Sequence, residues 1–248
     1  MMADFPVALT AEMLAGFVTT ERGCTHPRVG EIDGVKYIAK CGSWSPFSSD
    51  EHVHNEVVAD NALRAAGLVV PPSREYRVDF RDGLGEQVVR LAEFAEGTVP
   101  LLVAWCRGSA ALRRRIRAQV VATYPVQAWI AGIDTFTYDN VRVDGGGELV
   151  FVDNGASFDF RASGKRKGWF WKRTDVADVS GGYLSLAAHP DQRVLRGILG
   201  LTTEGALWAA AKRYDFAALT RQLPASHRRA ELEAYSKLID EAAACRSN

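Results

Sequence analysis

The chain has no net charge to offer a partner: thirty Lys and Arg residues balance thirty Asp and Glu. No global field therefore draws it to nucleic acid or to an anionic membrane, and any phosphate it binds must be met locally. Cysteine is sparse. Cys24, Cys41, Cys106 and Cys245 lie far apart with no C-x-x-C pair, which excludes a zinc ribbon and a dense disulfide framework. They read as reduced thiols. No apolar run reaches the 18 or so residues of a membrane span, and MMADFPVALT has an aspartate where a signal peptide needs a basic region. The cytosol, the cell's own or a host's, is the expected compartment. Internal repeats and low-complexity stretches are absent too.

What the 248 residues do contain is ample apolar material, 47%, enough for one large domain or two small lobes without covalent staples. Residues 16–40 run in short β-favouring segments broken by Gly23, Pro27 and the turn pair Asp33-Gly34, which predicts three antiparallel strands. In SWSPFSSDEHVHNEVVADNALRAAGL, Ser48 and Glu51 form a capping box, apolar residues recur from Val53 to Leu63, and Gly67 ends the helix. REYRV and EQVVRLAEF read as two further strands, and GTVPLL as a connection out of the sheet.

From Ser109 the pattern turns helical. ALRRRIRAQVVATY places Ile116, Val120 and Tyr124 at four-residue spacing, and Pro125 should break or kink the helix. A polar stretch, DTFTYDN, leads to VRV and LVFV, two strands joined by Asp144 and three glycines. Apolar-periodic segments follow around VLRGILGL, GALWAAAKRY and LEAYSKLIDEAAA.

The charged residues at the ends of these elements form a set. Lys40 ends a strand, Glu56 sits mid-helix, and Asp134, Asn140 and Asp153 flank a loop and a strand in the second half. Phosphoryl transfer needs a lysine for nucleotide phosphates, a glutamate to hold it, carboxylate and amide oxygens for magnesium, and an aspartate near the incoming hydroxyl. Asp153-Asn154-Gly155 taken alone is a turn former. Lys36, four residues before Lys40 on the same face, is its rival, and an isolated Lys at a strand end is ordinarily a solvated one. Asp134 has a rival role as a helix cap. His26, His52 and His54 are assigned nothing.

Three stretches resemble the protein-kinase-like superfamily, and within it the HipA-like kinases and their phosphatidylinositol-kinase-like relatives. NEVVADNALRAAGLVVPPS is similar to their Asn-Glu-opened, alanine-rich helix; RGCTHPRV is similar to their short nucleotide loop; WIAGIDTFTYDNVRV with LVFVDNGASF resembles their catalytic loop and metal-binding turn, Asp-Asn-Gly standing where conventional kinases carry Asp-Phe-Gly. The resemblance spans about residues 20–160. It implies an α+β, two-lobed fold in one kinase-like domain: an antiparallel N-lobe sheet with one helix over about residues 1–96, and a mainly helical C-lobe over about 97–248. It also implies that ATP lies in the cleft, with adenine at Glu93 to Ala95 and phosphates beneath a loop containing Gly23, Thr25 and Arg28.

By the same resemblance Lys40 would contact the α and β phosphates, Glu56 would pair with it, Asp134 would orient or deprotonate the acceptor, and Asp153 would chelate Mg2+. The second metal ligand is Asn140 or Asp139, because five residues separate Asp134 from Asn140 where the family has four; YDNVRV favours Asn140. Thr135 stands where the family carries Arg or His, a departure consistent with a degenerate kinase. GKRKGWFWKR, with Ser163 and Thr174 beside or within reach of it as autophosphorylation candidates, would be the exposed segment that receives substrate. The acceptor implied is a protein serine or threonine, with a small-molecule or lipid hydroxyl and an ATP-binding pseudokinase as alternatives; nucleic acid is not an expected partner.

Overall fold

The computed structural model describes residues 5–20, 25–132, 135–136, 139–160, 164–165, 204–228, 232–233 and 236–237. Gly23, Asp134, Ser163, Thr174, most of the basic-aromatic loop and the VLRGILGL segment lie outside the described residues. The first half is a five-stranded antiparallel sheet in the order β1-β2-β3-β5-β4, formed by β1 (Val18–Thr19), β2 (Arg28–Ile32), β3 (Val35–Cys41), β4 (Ser73–Asp79) and β5 (Glu86–Glu93). A short helix, α1 (Ala11–Leu14), precedes it.

The β2–β3 hairpin turns where the sequence expects: Ile32 pairs with Val35, and Asp33 and Gly34 take φ of 50° and 78°. Both central residues in the left-handed region make the turn whose twist suits a two-residue hairpin. Strand alternation then sorts the side chains. Tyr37, Ala39 and Cys41 of β3 and Val89 and Leu91 of β5 join Leu14 and Phe17 in one core on one face of the sheet. The residues between them, Lys40 and Arg90 among these, point to the other face. Burial pushes the Cys41 thiol up in pKa, so it packs as a small neutral side chain.

Helix α2 (Asp50–Ala65) covers that other face. Its N-cap is Ser49, whose hydroxyl accepts from the His52 N–H at 3.2 Å, one residue later than the Ser48–Glu51 box predicts. Ser48 Oγ is buried with no hydrogen-bond partner among the described residues. Ser49→Ala should therefore lower stability by about 1 kcal/mol while Ser48→Ala is neutral or better; equal losses in denaturant melts would restore Ser48 as the cap. The helix stops at Gly67, φ 81°, with Leu68 N–H reaching back to Leu63.

The second half builds a separate core around α4 (Ala110–Trp129), where Ile116, Val120, Tyr124, Val126 and Trp129 meet Val58, Ala62 and Leu63 of α2. Burying one such Leu contributes roughly 1.5–3 kcal/mol. Pro125 does not end α4, which continues to Trp129. The missing N–H forfeits one backbone bond, but buried apolar side chains on both sides of the proline hold the helix against its neighbours. GTVPLL is more than a connection: β6 (Val99–Pro100) joins β7 (Val141–Val143) and β8 (Leu149–Phe151) in a small antiparallel sheet, and α3 (Leu101–Arg107) follows at once. Further along, α5 (Glu204–Ala211) and α6 (Phe216–Gln222) pack Leu207, Trp208, Phe216 and Leu219 into the same core. Among the described residues no helix is long and apolar enough to cross a membrane.

Candidate active site

Antiparallel pairing sets Lys40 of β3 directly opposite Arg90 of β5. Two buried cations side by side are unfavourable unless counter-charges reach them. The stripe His52, Glu56 and Asp60, spaced by four along α2, lies on one side of that helix, and all three are buried. Lys40 Nζ lies 2.9 Å from both Glu56 oxygens, and Arg90 makes ion pairs with Glu56 at 3.2 Å and Asp60 at 2.7 Å.

The third carboxylate comes from the other half of the chain. Beyond β8, Asp153 Oδ1 lies 2.9 Å from Lys40 Nζ, and the Asp153 side chain is 41% exposed. Lys40 thus stands between a buried carboxylate and a half-exposed one. Burial alone would push its pKa down, but Asp153 and Glu56 more than reverse this and hold it above the ordinary lysine value. Burial likewise pushes Asp153 up, yet Lys40 and Arg90 prevail and hold it below the usual carboxylate range. For Glu56 burial is the largest influence and upward, opposed by Arg90 and Lys40. Lys40 and Asp153 are therefore both ionised at neutral pH.

Other contacts tie the Asp153-Asn154-Gly155 turn to α2. Asn154 Nδ2 donates to Asp60 Oδ1 at 2.9 Å. Asn55 Nδ2 donates to the carbonyls of Gly155 at 3.3 Å and Ser157 at 3.1 Å, and His52 Nε2 lies 3.2 Å from the Gly155 carbonyl. The approach is close enough that a Cβ on Gly155 would sit 3.0 Å from His52 Nε2 and 3.2 Å from Glu56 Oε2, so glycine is needed there for space.

Asn140 and Asp139 sit at the same end of the β7–β8 hairpin. Val141 pairs with Phe151, and the Val152 N–H donates to the Asn140 carbonyl at 3.0 Å; Asp153 is the next residue. Asp134 lies outside the described residues, and its neighbour Thr135 is buried, donating to Gln127 Oε1 at 2.8 Å.

Thr25 is buried, and the Arg28 guanidinium stacks 4.1 Å from the Trp44 ring centroid. Glu93 ends β5 with its N–H bonded to Pro72, and Ala95 accepts a bond from Thr98 Oγ1 at 2.7 Å. Lys36 is at the surface, 3.7 Å from Glu96. Among the described residues no three His, Cys, Asp or Glu side chains converge as a ready metal cage. One or two carboxylates and an amide suit a cation that keeps water and substrate oxygens in its shell, as magnesium does.

Sequence reasoning missed Asp60, Arg90, Asn55 and His52 as members of this network. Two signals were available: an arginine in the middle of the apolar run of β5, and an acid one helical turn beyond Glu56. Neither position is ordinary for a solvated charge.

No protein-family model and no curated protein matches the chain. Among solved structures it is similar to WaaP in complex with acyl carrier protein, at 20% identity and TM-score 0.46 over 82% of this chain and 88% of that one. It is also similar to the Helicobacter pylori proinflammatory kinase CtkA, at 11% identity and TM-score 0.46 over 94% and 93%. A third is the amicoumacin kinase hAmiN in complex with AMP-PNP, Ca2+ and Ami, at 13% identity and TM-score 0.40 over 91% and 88%. The architecture of the described residues is α+β, an antiparallel five-stranded sheet covered by α2, followed by a mainly helical half with a small three-stranded sheet.

Proposed function

We propose that the protein is an ATP- and Mg2+-dependent phosphotransferase that moves the γ-phosphoryl group to a hydroxyl, with a protein serine or threonine as acceptor in the manner of a HipA-like toxin or effector kinase. One observation carries this reading: Lys40, buried and charged, is held between Glu56 and the half-exposed Asp153, each 2.9 Å away. A lysine serving only the fold needs one counter-ion. A second, solvent-facing carboxylate from a distant hairpin suits a site that presents opposite charges to a phosphate and its metal.

In this reading Lys40 binds the α and β phosphates and Glu56 fixes its position. Asp153, with Asn140 or Asp139 beside it, holds magnesium, which when bound supplies charge neutralisation on the phosphate oxygens. The phosphates lie beneath Gly23, Thr25 and Arg28, with adenine against Glu93 to Ala95 where the sheet hands over to the helical half, near residues 96 and 97. Asp134 orients the acceptor hydroxyl and takes its proton. The working compartment is the cytosol, of the producing cell or of a host, and a small-molecule or lipid hydroxyl is the alternative acceptor on the same site.

A second reading, an ATP-binding module without transfer, is favoured by Thr135, since this buried side chain is tied to α4 beside the position of the acceptor-orienting aspartate. Intact-mass analysis and ATP consumption, with and without magnesium, separate the two. Phosphate gain or magnesium-dependent turnover supports the kinase; tight ATP binding without either supports the module. Failure to bind ATP at all would sink both.

A further inference from the structure

The contacts among α2, Lys40 and the Asp153-Asn154-Gly155 turn form a closed circuit. From α2, Glu56 holds Lys40; Lys40 holds Asp153; the next residue, Asn154, returns to α2 through Asp60. Asn154 is buried, 2% exposed, and so is Asp60, at 0%. A buried primary amide is unfavourable in an apolar setting and needs polar partners. Here a buried carboxylate provides one, and that carboxylate is in turn stabilised by Arg90 Nε at 2.8 Å and Ser73 Oγ at 2.6 Å.

The two oxygens of Asp60 divide the work: Oδ2 answers the buried Arg90 and Ser73, and Oδ1 is left to meet Asn154.

We infer that Asp60, anchored by Arg90, is a positioning residue that captures the Asn154 amide and thereby sets the turn presenting Asp153. This rests on the phosphotransferase reading for its consequence and on the contacts alone for its existence. Asn154 stands where conventional kinases carry an apolar phenylalanine, so the turn is latched by a directional hydrogen bond in place of packing. Direction matters: the amide can meet Asp60 Oδ1 in one arrangement of the turn, whereas an apolar side chain tolerates several. Asn55 and His52 fasten the following carbonyls, so four contacts from one helix face hold residues 154 to 157. A displacement of α2 would release the lysine and the metal-binding turn together.

The test uses the full-length chain in three forms: Asn154→Leu, Asp60→Asn, and the exchange Asp60→Asn with Asn154→Asp, which restores an amide facing a carboxylate. Amide hydrogen exchange is followed in residues 151–158 and, as a reference, in residues 116–128 of α4. Each single variant should speed exchange in the turn by about tenfold or more with α4 unchanged, and the exchanged pair should recover much of the protection. The magnesium concentration for half-maximal ATP binding should rise by about tenfold in the single variants and fall back in the pair. Unchanged turn exchange, or acceleration spread equally over α4, would overturn the latch, as would failure of the pair to recover. If the wild-type protein binds no ATP, the phosphotransferase reading falls, and the exchange measurement still decides the latch.

Discussion

Asp153→Ala is expected to reduce magnesium-dependent ATP turnover by about 10²–10³-fold or more while leaving the fold intact. Catalysis of phosphoryl transfer is mainly positioning and charge stabilisation, so removing a group aimed at the transferred phosphate and its metal costs rate directly. Stability is governed by a different balance. The cluster contains three carboxylates, Asp153, Glu56 and Asp60, against two cations, Lys40 and Arg90. Asp153 is the member in excess and the one partly in water, so its loss should alter unfolding free energy by no more than about 1 kcal/mol. Steady-state turnover and a thermal melt on the same sample make the comparison. Retained turnover would return the turn to a purely structural role; collapse of the melt would mean that Asp153 is needed by Lys40 for folding.

Arg90→Met should do the reverse and give the largest loss of stability of any change discussed. The arginine is completely buried and joins Glu56 to Asp60, which are themselves 1% and 0% exposed. Without it, Lys40 alone faces three carboxylates, two of them shielded from water. Stranding buried charges in this way typically costs about 3–5 kcal/mol, on the order of 10 °C in melting temperature for a chain of this size. The exposed Arg114 on α4 is the control, where replacement by Met should stay within about 0.5 kcal/mol. A melt for Arg90→Met within about 2 °C of wild type would mean that Arg90 is not needed to balance the buried carboxylates.

Much of the fold was legible from local pattern. Asp33-Gly34 could be read as a hairpin because only a few residue pairs accept two successive positive φ values, and Gly67 as a helix end for the same conformational reason. The serine cap was legible to within one position, because Ser48 and Ser49 are chemically identical and only the path of the chain into α2 selects one. Pro125 misled because its local effect, one lost backbone bond, is outweighed by packing on both sides that no window of sequence displays. Helix α3, with seven residues and no side-chain cap, carried no start signal.

The candidate site divides in the same way. Order along the chain put Lys40, Glu56, Asn140 and Asp153 at the ends or faces of successive elements, and short-range periodicity is enough for that. Periodicity alone left Lys36 and Lys40 on the same face of β3, and only the folded structure buries the second against Glu56 while leaving the first beside Glu96 at the surface. Asp60 and Arg90 lie thirty positions apart, and Asp60 and Asn154 ninety-four. Local sequence determined most of the strands and helices and the face each of their side chains takes; tertiary structure decided which charges neutralise one another, because a buried ion is stable only beside a counter-charge that the chain brings from a distance.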